Sequence, residues 1–185
     1  MATKKGKVED IIEQKFLENR KVFLNGQVDG KSAKHVIDRL LYLDMESHDE
    51  IELIINSPGG YVTDGFAIYD TMKSIKSPVS TVCSGLAASM GSILLSAGKK
   101  GRRFIQPHAK VMIHQPMGGA QGQASNIEIQ ANEILKTKEL SAKILAENCE
   151  QDFEKVMKDF SRDYWMDANE SLKYGIVDHH FVDKK

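Results

Sequence analysis

Short apolar runs alternate along the chain with segments whose apolar residues recur every three or four positions, a pattern that predicts strands alternating with helices. Residues 8–19 read as a short charged helix, and Val22–Leu24 as a strand closed by the turn pair Asn25-Gly26. Ser32 is a candidate cap for a helix that carries Val36, Ile37, Leu40, Leu41 and Leu43 at helical spacing. "EIELIINSPGG" (50–60) reads as a strand that stops at Ser57-Pro58-Gly59-Gly60. Thr63 is a candidate cap for the next helix, with Phe66, Ile68, Tyr69, Met72 and Ile75 on its apolar stripe. Then come the strand "PVSTVCSG", a helix from near Ala88, and short strands around Phe104 and in "KVMIHQP". A long helix from about Ala124 to Asn148, a charged helix, a loop at Arg162–Met166, a short helix and a final strand, "GIVDHHFV", complete the chain. This alternation implies an α/β fold of mainly parallel strands covered by helices. Sites in such sheets gather where strand C-terminal ends meet helix N-termini, and Ser89 and Pro58-Gly59-Gly60 both fall at such junctions.

The stretch 124–148 is long for so small a chain. Ile127, Ala131, Ile134, Leu135, Lys138 and Ala142 give it one partly apolar stripe, while Glu128, Glu133, Lys136 and Glu139 decorate its other faces. A protruding helix of this kind needs a partner surface, most simply another copy of itself. The plainer arrangement is a helix lying flat over the sheet.

The 185 residues suit one domain with a substantial core, here residues 20–185, preceded by a short N-terminal segment, 1–19. Lysines and arginines number 25 against 26 acidic residues, so no bulk field favours nucleic acid or an anionic membrane. No apolar run reaches the roughly 20 residues that span a bilayer. "MATKKGK" is too short and polar for a signal peptide, which predicts a cytoplasmic protein. Cys83 and Cys149 have no metal-ligand spacing and read as reduced core thiols. No zinc motif, phosphate loop or dinucleotide fingerprint occurs.

The densest chemical signal is "VCSGLAASMGSILLSAG" (82–98), where Ser89 stands among Gly85, Ala87, Ala88 and Gly91. A serine hydroxyl becomes a nucleophile only when a base takes its proton, and the base works best when a third group orients it. At the start of a helix, free amides and the dipole favour the negative charge that develops on an attacked carbonyl. The small neighbours suggest room for a tetrahedral intermediate. The plain alternative is a serine that merely caps the helix, and the order of residues is not the G-x-S-x-G elbow. Among the histidines, His114 in "VMIHQPMGG" is the strongest candidate base, at a strand end before a proline and two glycines. Several aspartates compete as its partner. Asp163 in "SRDYWMD" is one, with an apolar Trp-Met pair after it that suggests partial burial. "NSPGG" offers free backbone amides for an oxyanion hole, or is simply a tight turn.

"INSPGGYVTDGFAIYDTM", "CSGLAASMGSILLSAGKKGRRF", "VMIHQPMGGAQGQASNIEIQANEILKTKE" and "RDYWMDANESLKYGIVD" closely resemble the proteolytic subunit of the caseinolytic (Clp) protease family, in order and over residues 20–182. The resemblance implies a crotonase-like fold, a repeated β-α spiral head with a protruding handle helix at 124–148. It puts the catalytic serine on Ser89, the histidine on His114 and the aspartate on Asp163. It puts the oxyanion-hole amides on Gly60 and Met90. An extended peptide substrate would pair with backbone at Gly59–Val62 on one side and Met117, Gly118 and Gly119 on the other. The family needs no metal or organic cofactor; ATP is used by a separate hexameric AAA+ unfoldase that feeds in unfolded chains. Subunits form two stacked seven-membered rings, a tetradecamer serving protein quality control. Arg162 resembles a residue that links ring contact to alignment of the triad.

The chain departs from the family pattern in two places. "MATKKGKVEDIIEQK" replaces a longer, partly apolar N-terminal segment that forms axial pore loops. In the apical pockets that receive the unfoldase, Glu52, Ser84 and Gln106 stand where relatives carry apolar groups, while Ile54, Val82 and Phe181 stay apolar. A carboxylate there removes apolar contact and risks desolvating a charge. These departures suggest a paralogue working in a mixed ring, whose second subunit type supplies the docking face. Two other readings remain open: a crotonase-type acyl-CoA enzyme on the same fold, and a non-catalytic regulatory ring subunit.

Overall fold

The structure, a computed structural model, describes residues 3–181 and the side chains from Val8 onward. Helix α1 (Thr3–Glu18) leads into strand β1 (Lys21–Asn25), helix α2 (Gly30–Glu46), strand β2 (Ile51–Ser57), helix α3 (Val62–Ser74) and strand β3 (Val79–Ala88). Helix α4 (Met90–Ser96), strands β4 (Arg103–Ile105) and β5 (Lys110–Ile113) and helix α5 (Ala124–Cys149) follow. Helix α6 (Phe153–Asp159), strand β6 (Tyr164–Met166), helix α7 (Ala168–Tyr174) and strand β7 (His179–His180) end the described chain.

The main sheet runs β1-β2-β3-β4-β7, parallel throughout. On its inner face Val22, Leu24, Leu53 and Ile55 are fully buried, in one core with Val36 and Leu40 of α2 and Ile68 of α3. The i, i+2 alternation of the strands and the i, i+4 spacing of the helices put these side chains on matching faces.

Strand β3 is the pivot. Its first half, Thr81–Cys83, pairs with β4, and its second half, Leu86–Ala88, pairs with β5. The change of partner falls at Gly85, whose φ is +92° and where a Cβ would lie 3.0 Å from Asn56 Oδ1. The register against β2 slips over the same stretch, from Ile55↔Cys83 to Ser57↔Ala87. Bulges of this kind bend a strand and redirect its end. Here the bend carries the C-terminal end of β3 over to β5.

Several sequence expectations need correction. Asp29, not Ser32, caps α2; Ser32 is the reciprocal third residue of a capping box, and its Oγ accepts from the Asp29 N–H at 2.9 Å. Thr63 caps nothing: α3 starts at Val62 behind Tyr61, with no side-chain cap. Leu41 faces solvent rather than the core. β3 persists to Ala88, so α4 starts at Met90 rather than near Ala88. The expected loop 162–166 contains β6, which runs antiparallel to β5. The expected final strand shrinks to His179–His180, with Val182 outside the described residues.

The long helix matches its expected span closely. Its buried residues, Ser141, Ala142, Ile144, Leu145, Ala146 and Cys149, all lie in the last third. Its first half is exposed apart from the half-buried Ile134, and includes the exposed Ile127, Ile129 and Leu135. No helix among the described residues is long and apolar enough to cross a membrane.

Candidate active site

Ser89 sits at the corner between β3 and α4, with φ 54° and ψ −122°. A positive φ is strained for a residue bearing a Cβ, at a cost of about 1–3 kcal/mol. The corner is held from both sides. The Ser89 N–H donates to Met112 O at 2.9 Å, and Ser89 O accepts from the Ser92 N–H and the Ser92 hydroxyl at 2.9 and 2.6 Å. Its own side chain makes no capping hydrogen bond. The serine is at the cap position without doing a cap's work. A sharp strand–turn–helix corner is the geometry of a nucleophile elbow, reached here without the G-x-S-x-G sequence.

The small residues around Ser89 answer to packing of the chain on itself, which corrects the expectation that they all clear space for substrate. Ala87 and Ala88 are buried, and a Cβ on Gly91 would lie 3.1 Å from Ser57 O. The residue pressed on the serine comes from another element. A Cβ on Gly59, in the turn after β2, would lie 2.6 Å from Ser89 Cβ and 2.9 Å from Met90 N. Beside it Gly60 bridges to Val28, which donates to Gly59 O and accepts from the Tyr61 N–H, both at 2.8 Å. That pairing turns the Gly60 N–H to the opposite side. Neither this N–H nor that of Met90, the first residue of α4, is engaged in a hydrogen bond among the described residues.

His114 and Asp163 meet. The β5–β6 register pairs Ile113 with Tyr164, so one more step sets position 114 opposite 163. His114 Nδ1 and Asp163 Oδ1 are 3.0 Å apart. His114 is mostly covered, but the Asp163 side chain is 61% exposed, against the expectation of partial burial. Among the described residues no hydrogen bond joins Ser89 Oγ to His114; pairing of Ala88 with Met112 nonetheless brings the ends of β3 and β5 side by side. Sequence reasoning missed Gln115. Its N–H donates to Phe160 O at 2.7 Å and its Nε2 to Ser161 O at 3.0 Å, tying the histidine strand to the chain that leads to Asp163.

The expected peptide-binding segments flank this centre unequally. Val62 belongs to α3, so extended backbone on that side ends at Tyr61. Met117, Gly118 and Gly119 are exposed, and Gly118 faces Ile134 of α5. Both cysteines are buried, and burial pushes each thiol up to about 12.

The sequence profile of the Clp protease family matches residues 4–184. The chain belongs to the Clp protease family. Membership makes it a proteolytic subunit of serine-peptidase type, and the α/β fold with its long α5 agrees with the family's architecture. Clp proteases generally assemble into rings that work with AAA+ unfoldases. Of the polar departures noted on this Clp chain, Ser84 and Gln106 bond one another, while the buried Glu52 Oε1 has no hydrogen-bond donor among the described residues. Glu52 lies 3.2 Å from Lys21 on the adjoining strand, and the Ser84 hydroxyl donates to Gln106 Oε1 at 3.0 Å.

Proposed function

We propose that this chain is a serine endopeptidase that cuts unfolded polypeptides by acyl transfer, with Ser89 as nucleophile, His114 as general base and Asp163 as the group that orients it. The observation that carries the reading is the strained, uncapped Ser89, set beside a strand whose next residue is a histidine paired with a carboxylate. In the reaction His114 takes the hydroxyl proton as Ser89 Oγ attacks the peptide carbonyl. Asp163 accepts from Nδ1 and stabilises the imidazolium. The N–H groups of Gly60 and Met90 receive the oxyanion, each such donor being worth about 3–4 kcal/mol of barrier where measured. His114 then protonates the leaving amine, and a water that it activates releases the acyl group.

Among the described residues no hydrogen bond joins Ser89 to His114, and the reading has this pair close up as rings form, since catalytic hydrogen bonds commonly tighten only in the working complex. The assembled form is two stacked heptameric rings. No metal or organic cofactor enters the chemistry, ATP being used by the partner unfoldase, and the setting is cytoplasmic.

A fluorophosphonate probe tests the assignment. It should modify Ser89 in the assembled protein and leave Ser89→Ala untouched, and the same substitution should abolish turnover of short fluorogenic peptides. Turnover that survives in Ser89→Ala sinks the reading. An acyl-CoA enzyme would keep its activity in that variant, and a dormant regulatory subunit would never label.

A further inference from the structure

From 121 to 136 every residue is exposed except Ile134. Ile134 packs close against Gly118: a Cβ built there would lie 2.8 Å from Ile134 Cδ1 and 3.2 Å from Cγ1. Nothing lies within 4 Å of the corresponding positions on Gly119 and Gly122. Gly118 is thus a point where the outer half of the long helix meets the segment that follows His114. At its other end that segment is fastened by the two Gln115 hydrogen bonds to Phe160 O and Ser161 O. Past Gln115, no backbone N–H from 117 to 122 is bonded among the described residues. A strand left free for a peptide to pair with has no ladder of its own to keep it in place. Side-chain packing has to do that.

We propose that Ile134 is a positioning residue for peptide binding: packed on the Cα of Gly118, it sets where the segment 115–119 lies, so the lie of α5 governs how firmly an extended substrate is held. This rests on the endopeptidase reading above. It also gives Gly118 a reason to be glycine, since a Cβ there would press on the Ile134 side chain.

The test is a size exchange. Ile134→Ala should raise KM for a fluorogenic peptide about fivefold with kcat little changed, the mark of weakened uniform binding. Gly118→Ala should do likewise by crowding. Their combination should recover most of the loss, because the new methyl occupies the space the isoleucine vacates; such non-additivity is the signature of direct contact. Ile134→Val, which loses only Cδ1, should fall between wild type and Ile134→Ala. Amide hydrogen exchange across 117–122, read without reference to catalysis, should quicken in Ile134→Ala and slow again in the double variant. Unchanged exchange in Ile134→Ala, or defects that simply add in the double variant, overturns the proposal. If wild-type Ser89 fails to label with fluorophosphonate, the endopeptidase reading falls, and the exchange data still judge the contact.

Discussion

Ser89 has a Cβ where the backbone favours glycine, and its neighbours Gly59 and Gly91 are glycines because backbone from other elements passes within contact distance. The corner thus keeps a strained serine where an unstrained residue was available. Strain of this kind persists at functional sites when the surroundings over-determine it. Ser89→Gly should therefore be more stable than Ser89→Ala by about 1 kcal/mol, read as a higher urea midpoint, with both variants inactive. Equal midpoints would mean that the corner carries no strain. Elsewhere single residues act as fasteners without chemistry. Arg20, with φ 54°, sends its guanidinium to the carbonyls of Leu43, Ser47, Asp49 and Glu50 and so closes the end of α2 onto the start of β2.

At the scale of elements, the buried Arg103 on β4 joins three parts of the fold. Its guanidinium pairs with Asp178 at 2.6 and 2.9 Å, and its Nη1 donates to Asn148 O in the last turn of α5 at 2.8 Å. The base of the long helix and the approach to β7 are thereby locked to the sheet. A cation at a helix C-terminus also meets the negative end of its dipole. Burial alone would push the Asp178 carboxyl up. The guanidinium and the N–H groups of Arg103 and Gly101 outweigh it and hold the group below its ordinary 3.8. A carboxylate held low stabilises the folded state at neutral pH and loses that contribution as pH falls below its ordinary value. The urea midpoint of the wild type should drop over that acid range, and Asp178→Asn should remove that part of the slope while lowering stability at pH 7. Arg103→Ala leaves the carboxylate buried without its partner and should cost about 3–5 kcal/mol.

For the whole molecule, the decisive feature is what the isolated chain leaves uncovered. The outer half of α5 exposes Ile127, Ile129 and Leu135, the apolar surface that the proposed double ring would cover. On the proposed double-ring reading, peptidase activity per subunit should rise steeply with protein concentration and track the double-ring fraction measured by sedimentation. Full activity in a dilute monomer would contradict this. The mixed-ring reading takes Glu52, beside Lys21, and Ser84, bonded to Gln106, as parts of a docking face poor in apolar contact. A ring of this chain alone should bind an unfoldase weakly and spare folded substrates. Adding a second subunit type with an apolar docking face should restore degradation. Tight docking by the pure ring would refute the mixed-ring idea.

Much of this protein was legible in its order of residues alone. Periodicity marked the strands and helices because apolar spacing is a local property, and α5 was placed to within a residue at each end. Ser89, His114 and the glycine turn stood out because each lies at a break in that periodicity. Asp163 did not, for its claim depends on β6 lying antiparallel to β5, and the three residues of that strand show no pattern a loop lacks. The caps at Asp29 and Tyr61 were misread because Ser32 and Thr63 have the right chemistry, while only the backbone path decides which residue stands at the corner. Likewise the glycines near Ser89 announced a close approach, but which partner approached was settled by the folded chain. Contacts between residues distant in sequence depend on strand order and register, and those follow from how the whole core closes.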